Sequence, residues 1–140
     1  MQLRTEIEIR APATRVYAAL TDFGSYSEWN PYLKSVEGEL LVGSKLRLVI
    51  TAGDGSERVQ KAALSQLEPD RLLAWESTLW WRGWFDGRHF FELFPLDRER
   101  TRLVHGEDLS GRLVQHMGRR LTSMARGFVG MNEALRRRVE

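Results

Sequence analysis

The C-terminal part of the chain carries a long apolar stripe, and this stripe constrains the fold more than any other feature. Its spacings of four and three are typical of one face of an amphipathic helix that runs to about Arg138. The stripe consists of Leu113, Met117, Leu121, Met124, Phe128, Met131, Leu135 and Val139. Gly118, Gly127 and Gly130 lie within this helix, and each weakens it by about 1 kcal/mol relative to alanine. We expect these glycines to leave room for close packing or for a ligand.

The rest of the chain is typical of strands, with two short helices near its start. Apolar and charged residues alternate from Leu3 to Ile9, which predicts a first strand. Pro12 suits the start of a short helix, and Pro31 forbids continuation of a second one that precedes it. The second helix is predicted at residues 25–29. Six further strands are predicted at residues 33–41, 45–51, 58–68, 71–81, 84–94 and 100–109.

The predicted strands need one partner for their buried face. Their short connections indicate an antiparallel meander. A seven-stranded sheet that buries one face must curl around the one long amphipathic helix available. The fold class is therefore α+β, a curved antiparallel sheet wrapped around a long C-terminal helix, with two short helices after strand 1. The 140 residues suffice for one domain, 1–140.

Two blocks of sequence carry a resemblance to a known family. The first comprises Ile9-Arg10-Ala11-Pro12, Val16-Tyr17, Leu20-Thr21-Asp22-Phe23, Tyr26 and Trp29-Asn30-Pro31, and the second comprises residues 85–93 and 101–111. Both are similar to the START-like (SRPBCC) superfamily, in particular to its polyketide cyclase/dehydrase-like single-domain bacterial members. The resemblance implies a helix-grip fold with a deep cavity for a hydrophobic ligand. It is specific for the fold and not for a reaction.

Alternation along the last three strands predicts which side chains face the helix. One face of the fifth strand carries Leu73, Trp75, Leu79 and Trp81. One face of the sixth strand carries Phe85, His89, Phe91 and Leu93, and one face of the seventh carries Leu103, His105, Glu107 and Leu109. If the last hairpin is centred on Asp97, His89 lies opposite His105, with Glu107 one step further. The predicted ligand-binding residues are Trp75, Leu79, Trp81, Phe85, His89, Phe91, Leu103, His105, Glu107, Met117, Leu121, Met124 and Phe128.

The predicted interior contains one polar cluster, formed by His89, His105 and Glu107. It is interpreted in three ways: a buried hydrogen-bond network, a polar anchor that orients an apolar ligand, or a catalytic acid–base group. We expect no metal site, because no ligand-spacing motif supports one and the chain has no cysteine. We likewise expect no cofactor, since phosphate-binding and dinucleotide motifs are missing.

Three functions follow from these patterns. The first is binding of a small hydrophobic molecule, a lipid or polyketide-like compound, between the sheet and the long helix. The second, which the family resemblance alone implies, is a cyclase or dehydratase enzyme in which a cavity histidine moves protons. The third is a protein-interaction module without a ligand, for which Trp80 and Trp84 on the outward face would supply the contact. Those two tryptophans could also form a homodimer interface.

Charge and hydropathy restrict the partners. The net charge is +2, but residues 117–140 hold six arginines and two glutamates, a local charge of 6 − 2 = +4. Nucleic acid or a membrane surface could match this charge. We favour a solvated helix face instead, because the aromatics that typically interleave a nucleic-acid site are missing. No stretch is long and apolar enough for a membrane span, and the start lacks a signal-peptide layout, so we expect a cytoplasmic protein.

Overall fold

The computed structural model describes residues 1–79 and 83–140, and of Leu79 the backbone only. Within these residues the chain forms seven strands and three α-helices. The strands are β1 (Gln2–Ile9), β2 (Leu33–Glu37), β3 (Lys45–Thr51), β4 (Glu57–Glu68), β5 (Leu72–Leu79), β6 (Phe85–Pro95) and β7 (Thr101–Ser110). The helices are α1 (Ala13–Thr21), α2 (Tyr26–Trp29) and α3 (Gly118–Val139), with short 3-10 turns at Phe23–Ser25 and Val114–His116.

All seven strands form one antiparallel sheet in the order β1-β7-β6-β5-β4-β3-β2. The register shifts between β2 and β3 and between β4 and β5, and such irregularities bend a sheet. The curved sheet holds α3 against its concave face. The predicted α+β class and its seven-stranded sheet are confirmed. The sequence did not indicate that β1 pairs with the last strand, β7, instead of with β2; the pairing runs from Gln2↔Asp108 to Ile9↔Thr101.

The two short helices after β1 are held by specific hydrogen bonds. The carbonyl oxygen of Pro12, the residue before α1, accepts from the amides of Arg15 at 3.0 Å and Val16 at 3.1 Å and so starts the hydrogen bonding of the helix. The Tyr17 hydroxyl donates to the carbonyl oxygen of Leu72 at 3.0 Å and so fastens α1 to β5. Burial raises the pKa of Tyr17 to about 12, and Asp70 and Glu68 add to the shift.

The turn that follows α2 positions a residue that is important for the site. Asn30 is buried, and its Oδ1 accepts from the backbone amides of Tyr32 at 3.0 Å and Leu33 at 2.8 Å. Side-chain bonds of this kind replace backbone bonds at a turn. The turn therefore starts β2 and directs the Tyr32 ring under α3, where it meets Phe128 edge-on with ring centroids 5.4 Å apart.

Two predicted element boundaries differ from the structure. β2 ends at Glu37, because Gly38 has a φ of +150° and a Cβ there would lie 2.6 Å from Leu46 Cδ2. Such a backbone angle favours glycine and interrupts the strand. The long helix begins at Gly118, since the chain forms a separate 3-10 turn just before it. The predicted end of the fifth strand, at Trp80 and Trp81, lies outside the described residues.

The predicted register of the last hairpin is wrong by two residues. His89 pairs with Glu107, and Phe91 pairs with His105, so His89 and His105 are diagonal neighbours. The cause lies in the turn, which is centred on Arg98 instead of Asp97. A slip of two residues leaves every side chain on its predicted face, because side chains alternate with a period of two.

The position of that turn follows from one aspartate. Pro95 pairs with Thr101, which extends the ladder of β6 and β7 to the base of the loop. The Asp97 carboxylate accepts from the Glu99 amide and from Arg100 Nε, both at 2.8 Å. These bonds hold the residues between Pro95 and Thr101 as a five-residue loop, and they set the centre of the hairpin.

Candidate functional site

A buried chain of hydrogen bonds joins the sheet to α3. The Thr5 hydroxyl donates to the carbonyl oxygen of His105 at 2.7 Å, and Asn132 Nδ2 donates to Thr5 Oγ1 at 2.8 Å. Asn132 Oδ1 faces His105 Nδ1 at 2.7 Å. His105 Nε2 lies 2.7 Å from His89 Nε2. The four residues come from β1, α3, β7 and β6, so the chain of bonds fixes the helix relative to three strands.

The donors in this chain fix the protons on both histidines. The Thr5 hydroxyl donates its only proton to a carbonyl oxygen, so Thr5 Oγ1 accepts from the Asn132 side-chain nitrogen. Asn132 Oδ1 is the other end of that amide and can only accept, so it must face a donor. His105 Nδ1 therefore carries a proton. Burial and the neighbouring His89 hold the pKa of His105 well below its usual range, although the bond to Asn132 opposes this. His105 is therefore neutral, its Nε2 is an acceptor, and His89 Nε2 must donate to it.

His89 also faces Glu107. Glu107 Oε1 lies 3.5 Å from His89 Nδ1, and both side chains are buried. Because His89 Nε2 already donates to His105, a carboxylate that faced an unprotonated Nδ1 would oppose two acceptors. The contact is therefore an ion pair only when His89 is protonated, and it lies at the concave face of the sheet.

Glu107 also has an oxygen that no protein group satisfies. Among the described residues, Glu107 Oε2 has no hydrogen-bond partner, although the side chain is buried. An unsatisfied buried acceptor costs about 1–3 kcal/mol. Gly87 on the adjacent strand makes room for the carboxyl, since a Cβ there would lie 3.3 Å from Glu107 Cδ. Glu107 Oε2 is thus available to a donor that is not part of the protein.

Aromatic rings surround the histidines on all sides. His89 stacks on Trp75, with ring centroids 5.1 Å apart and planes 8° apart. Phe128 of α3 stacks on His105 at 4.5 Å and meets His89 edge-on at 4.9 Å. Phe91 stacks on His105 at 4.3 Å. This packing excludes water and strengthens the electrostatic interactions of the polar chain.

The enclosed space at Glu107, which we call the inner chamber, is small. Its volume is about 20 Å³, close to what a single water requires. Its walls are Tyr32, Leu33, Leu48, Ile50, Arg58, Gln60, Trp75, Phe85, His89, Glu107 and Met124. Burial raises the pKa of the Tyr32 hydroxyl, and Glu107 adds to the shift, whereas Arg58, which hydrogen-bonds the hydroxyl, opposes it. The deep cavity that the family resemblance implies is therefore almost closed.

Two wider spaces lie outside the inner chamber, between α3 and the β3–β4 hairpin. The outer groove has a volume of about 510 Å³, and its walls are Pro31, Tyr32, Thr51, Ala52, Gly53, Arg119, Thr122, Ser123, Arg126, Gly127 and Gly130. The side pocket has a volume of about 250 Å³, and its walls are Tyr32, Ile50, Ala52, Ser56, Glu57, Arg58, Arg120, Ser123 and Met124. Tyr32 lines all three spaces, and Met124 separates the side pocket from the inner chamber.

The structure separates the predicted ligand-binding residues into two groups. Trp75, Phe85, His89, Glu107 and Met124 line the inner chamber. The packed core contains Phe91, Leu103, His105, Leu121 and Phe128, and Met117 is partly buried against it. The Leu79 side chain and Trp81 lie outside the described residues. No group of three or more His, Asp or Glu side chains in the described parts of the chain could hold a metal ion.

Sequence reasoning missed most of the outer groove. Tyr32 in this groove and Arg58 in the side pocket carried no recognisable pattern, because their importance depends on the Asn30 turn and on the sheet curvature. The glycines of α3 were a usable signal. A Cβ at Gly127 would lie 2.3 Å from Tyr32 Cδ1, so this glycine allows close packing. A Cβ at Gly130 would meet no atom within 4 Å, and this glycine lines the groove.

A larger depression of about 830 Å³ lies elsewhere on the sheet. It is an open surface with many polar groups, including the ion pair between Arg88 and Asp108 at 3.1 Å. We favour the outer groove as the candidate site, because Tyr32 lines both this groove and the inner chamber that Glu107 borders.

The fold and the site define the class of protein. A curved seven-stranded sheet closed around one long helix is the helix-grip architecture. A family described as polyketide cyclase / dehydrase and lipid transport matches residues 1–140, and the chain belongs to this family. No curated protein sequence matches the chain. Within the described residues, no helix is long and apolar enough to cross a membrane.

Solved structures share this fold at low sequence identity. The Zhui aromatase/cyclase from Streptomyces sp. R1128 is 22% identical, with 99% of this chain and 93% of that chain covered and a TM-score of 0.80. A START superfamily protein from Mycobacterium smegmatis is 21% identical, with 99% and 96% covered and a TM-score of 0.76. A hypothetical protein, jhp0584, from Helicobacter pylori is 16% identical, with 100% and 88% covered and a TM-score of 0.80.

Proposed function

We propose that the protein binds a small hydrophobic molecule, a lipid or polyketide-like compound, in the outer groove and the side pocket. One observation carries the proposal: Tyr32 lines both spaces and also the inner chamber, where the buried Glu107 Oε2 has no hydrogen-bond partner among the described residues. Apolar walls with a few polar groups at one end are typical of ligand sites. Membership of a family whose description includes lipid transport supports the same class of ligand.

Affinity and orientation would come from different parts of the site. The groove removes apolar surface from water, which contributes about 25 cal/mol per Å². A hydroxyl group on the ligand would donate to Glu107 Oε2 after Tyr32 and Met124 move aside. Methionine side chains adapt easily to ligands of different shape. The closed inner chamber is then the resting form of a site that widens on binding.

A fluorescence titration tests this proposal. The neutral apolar probe N-phenyl-1-naphthylamine should bind with a marked rise in emission. Gly130→Phe should lower the affinity for the probe by about tenfold or more, because its ring would fill the outer groove. Val129→Phe is the matched control: it adds the same ring to the same helix at a position that is 50% exposed and outside the groove walls. Equal affinities in the two variants, or no binding to the natural protein, would contradict the proposal.

A second candidate function is acid–base catalysis of the dehydratase type. The specific observation in its favour is that His89 Nδ1 and Glu107 Oε1 lie 3.5 Å apart, with both residues in the wall of the inner chamber. A carboxylate could remove a C–H proton from a bound β-hydroxy ketone, and the imidazolium could protonate the hydroxyl that leaves as water. His105 lies behind His89, so its role would be to hold His89 in place.

Turnover of a phenyl-substituted β-hydroxy ketone, followed by the ultraviolet absorbance of the conjugated enone, tests the second candidate. The natural protein should accelerate the reaction above buffer, and Glu107→Gln should abolish the acceleration while probe binding persists. Equal rates for both proteins would exclude this chemistry for Glu107.

Other expectations from the sequence remain predictions. These are a single domain over residues 1–140, a cytoplasmic location, no nucleic-acid partner, and a homodimer as an alternative to a monomer. Sedimentation of the purified protein at two concentrations would distinguish a monomer from a dimer.

A further inference from the structure

The outer groove carries two arginines on the face of α3 that borders it. Arg119 and Arg126 are seven positions apart, which is about two turns along one side of a helix. Both side chains are exposed. Among the described residues, neither forms an ion pair with a carboxylate, although eight other ion pairs are present. The groove therefore has two cationic groups that no carboxylate of the described residues pairs with.

The carboxylates of the facing hairpin are held away from these arginines. Asp54 accepts hydrogen bonds from the amide and the hydroxyl of Ser56, at 2.9 and 2.6 Å. Glu57, on the wall of the side pocket, is paired with Lys34 at 2.8 Å. Ser56 and Lys34 of β2 thus bind two carboxylates of the hairpin, which leaves the positive charge of α3 available.

A hydroxyl lies between the two arginines. Ser123 lines the outer groove, and its hydroxyl makes no hydrogen bond among the described residues, whereas the hydroxyl of its neighbour Thr122 donates to the Gly118 carbonyl oxygen at 3.1 Å. Guanidinium groups and a hydroxyl donor together suit a carboxylate or a phosphate monoester, since charge-assisted hydrogen bonds to such anions are the strong ones.

We propose that the ligand of the outer groove is an amphiphile with an anionic head, and that Arg119 and Arg126 bind this head at the mouth of the groove. The inference rests on the proposed function. It also sets the orientation of the ligand: Glu107 at the inner end offers only an acceptor oxygen, which repels an anion and favours a donor. The anionic head stays at the mouth, and the apolar body extends towards Tyr32 and Met124.

Displacement of N-phenyl-1-naphthylamine by two matched molecules tests this inference. Decanoate and 1-decanol have chains of equal length and differ in head charge. The double variant Arg119→Gln/Arg126→Gln should weaken displacement by decanoate by about tenfold or more, and should change displacement by 1-decanol less than about twofold. Arg137→Gln is the control, since Arg137 is exposed on the same helix and lies outside the groove. It should leave both values unchanged.

The outcomes separate the two proposals. If the double variant and the natural protein bind decanoate equally while both bind the probe, the anionic head is wrong and the hydrophobic site stands. If the probe does not bind the natural protein, both proposals fail, whereas a bound probe that neither decanoate nor 1-decanol displaces overturns the amphiphile alone. Acetate at the same concentration should not displace the probe. Displacement by acetate would show that the anionic group binds without an apolar chain, and this result would overturn the proposal of an amphiphilic ligand.

Discussion

Two glycines of α3 provide a matched test of how the helix meets the sheet. A Cβ at Gly127 would lie 2.3 Å from Tyr32 Cδ1 and 2.6 Å from Cε1. A Cβ at Gly130, less than one turn further along, would meet nothing within 4 Å. Replacement of either glycine by alanine gives the same gain in helix propensity, up to about 1 kcal/mol. The two variants therefore differ only in packing.

The expected magnitudes follow from these contacts. Gly130→Ala should stabilise the protein by up to about 1 kcal/mol. Overpacking costs about 1–3 kcal/mol, and the upper half of that range applies at Gly127, because the Tyr32 ring is only 6% exposed and is held by Phe128. Gly127→Ala should therefore destabilise the protein by about 1–2 kcal/mol, the packing cost less the gain in helix propensity.

Urea unfolding followed by tryptophan fluorescence measures both free energies on the same scale. The unfolding temperature should fall by about 3–5 °C for each kcal/mol lost. If Gly127→Ala proved as stabilising as Gly130→Ala, α3 would not lie as close to Tyr32 as described. The barrier between the outer groove and the inner chamber would then be misplaced.

Three further predictions concern the core. Burial holds the pKa of His105 well below its value near 6.5 in the unfolded chain, so the unfolded state binds the extra proton. The contribution of the neutral His105 to the free energy of unfolding is therefore fully present above about pH 6.5. It is lost below that pH, by up to about 1.4 kcal/mol per pH unit. Unfolding measured from pH 7 to pH 5 should therefore show a smaller slope in His105→Gln and an unchanged slope in the exposed His116→Gln. Asn132→Leu should cost about 2–3 kcal/mol in urea unfolding, since it leaves the His105 Nδ1 proton without an acceptor, and a loss below 0.5 kcal/mol would contradict the hydrogen-bonded chain. Gly106→Ala should cost about 3 kcal/mol or more, because its Cβ would lie 2.2 Å from a β1 carbonyl oxygen; a thermal melt equal to that of the natural protein would contradict the pairing of β1 with β7.

The fold was largely predictable from the sequence because its signals are periodic. Alternation along the strands placed His89, His105 and Glu107 on the concave face, and this held although the hairpin register was wrong. Register depends on where a turn is centred, and here the side-chain bonds of Asp97 decide it. Such bonds leave no periodic trace in a sequence.

The size and location of the site were not predictable in the same way. The volume under α3 depends on how closely the helix approaches the sheet, which a single contact between Gly127 and Tyr32 sets. The basic character of α3 was visible as a count of charges. That Arg119 and Arg126 have no counter-ion among the described residues depends on the facing hairpin, whose carboxylates bind Ser56 and Lys34 instead.

The most direct test of the account is a nuclear magnetic resonance titration of the isotope-labelled protein with decanoate. Glycine amides resonate in a well-separated region of the spectrum and provide natural reporters. The account predicts that the amides of Gly53, Gly127 and Gly130, at the outer groove, shift progressively, while those of Gly24 and Gly43 stay in place. Shifts confined to other parts of the sheet, or no shifts at all, would contradict binding between α3 and the β3–β4 hairpin.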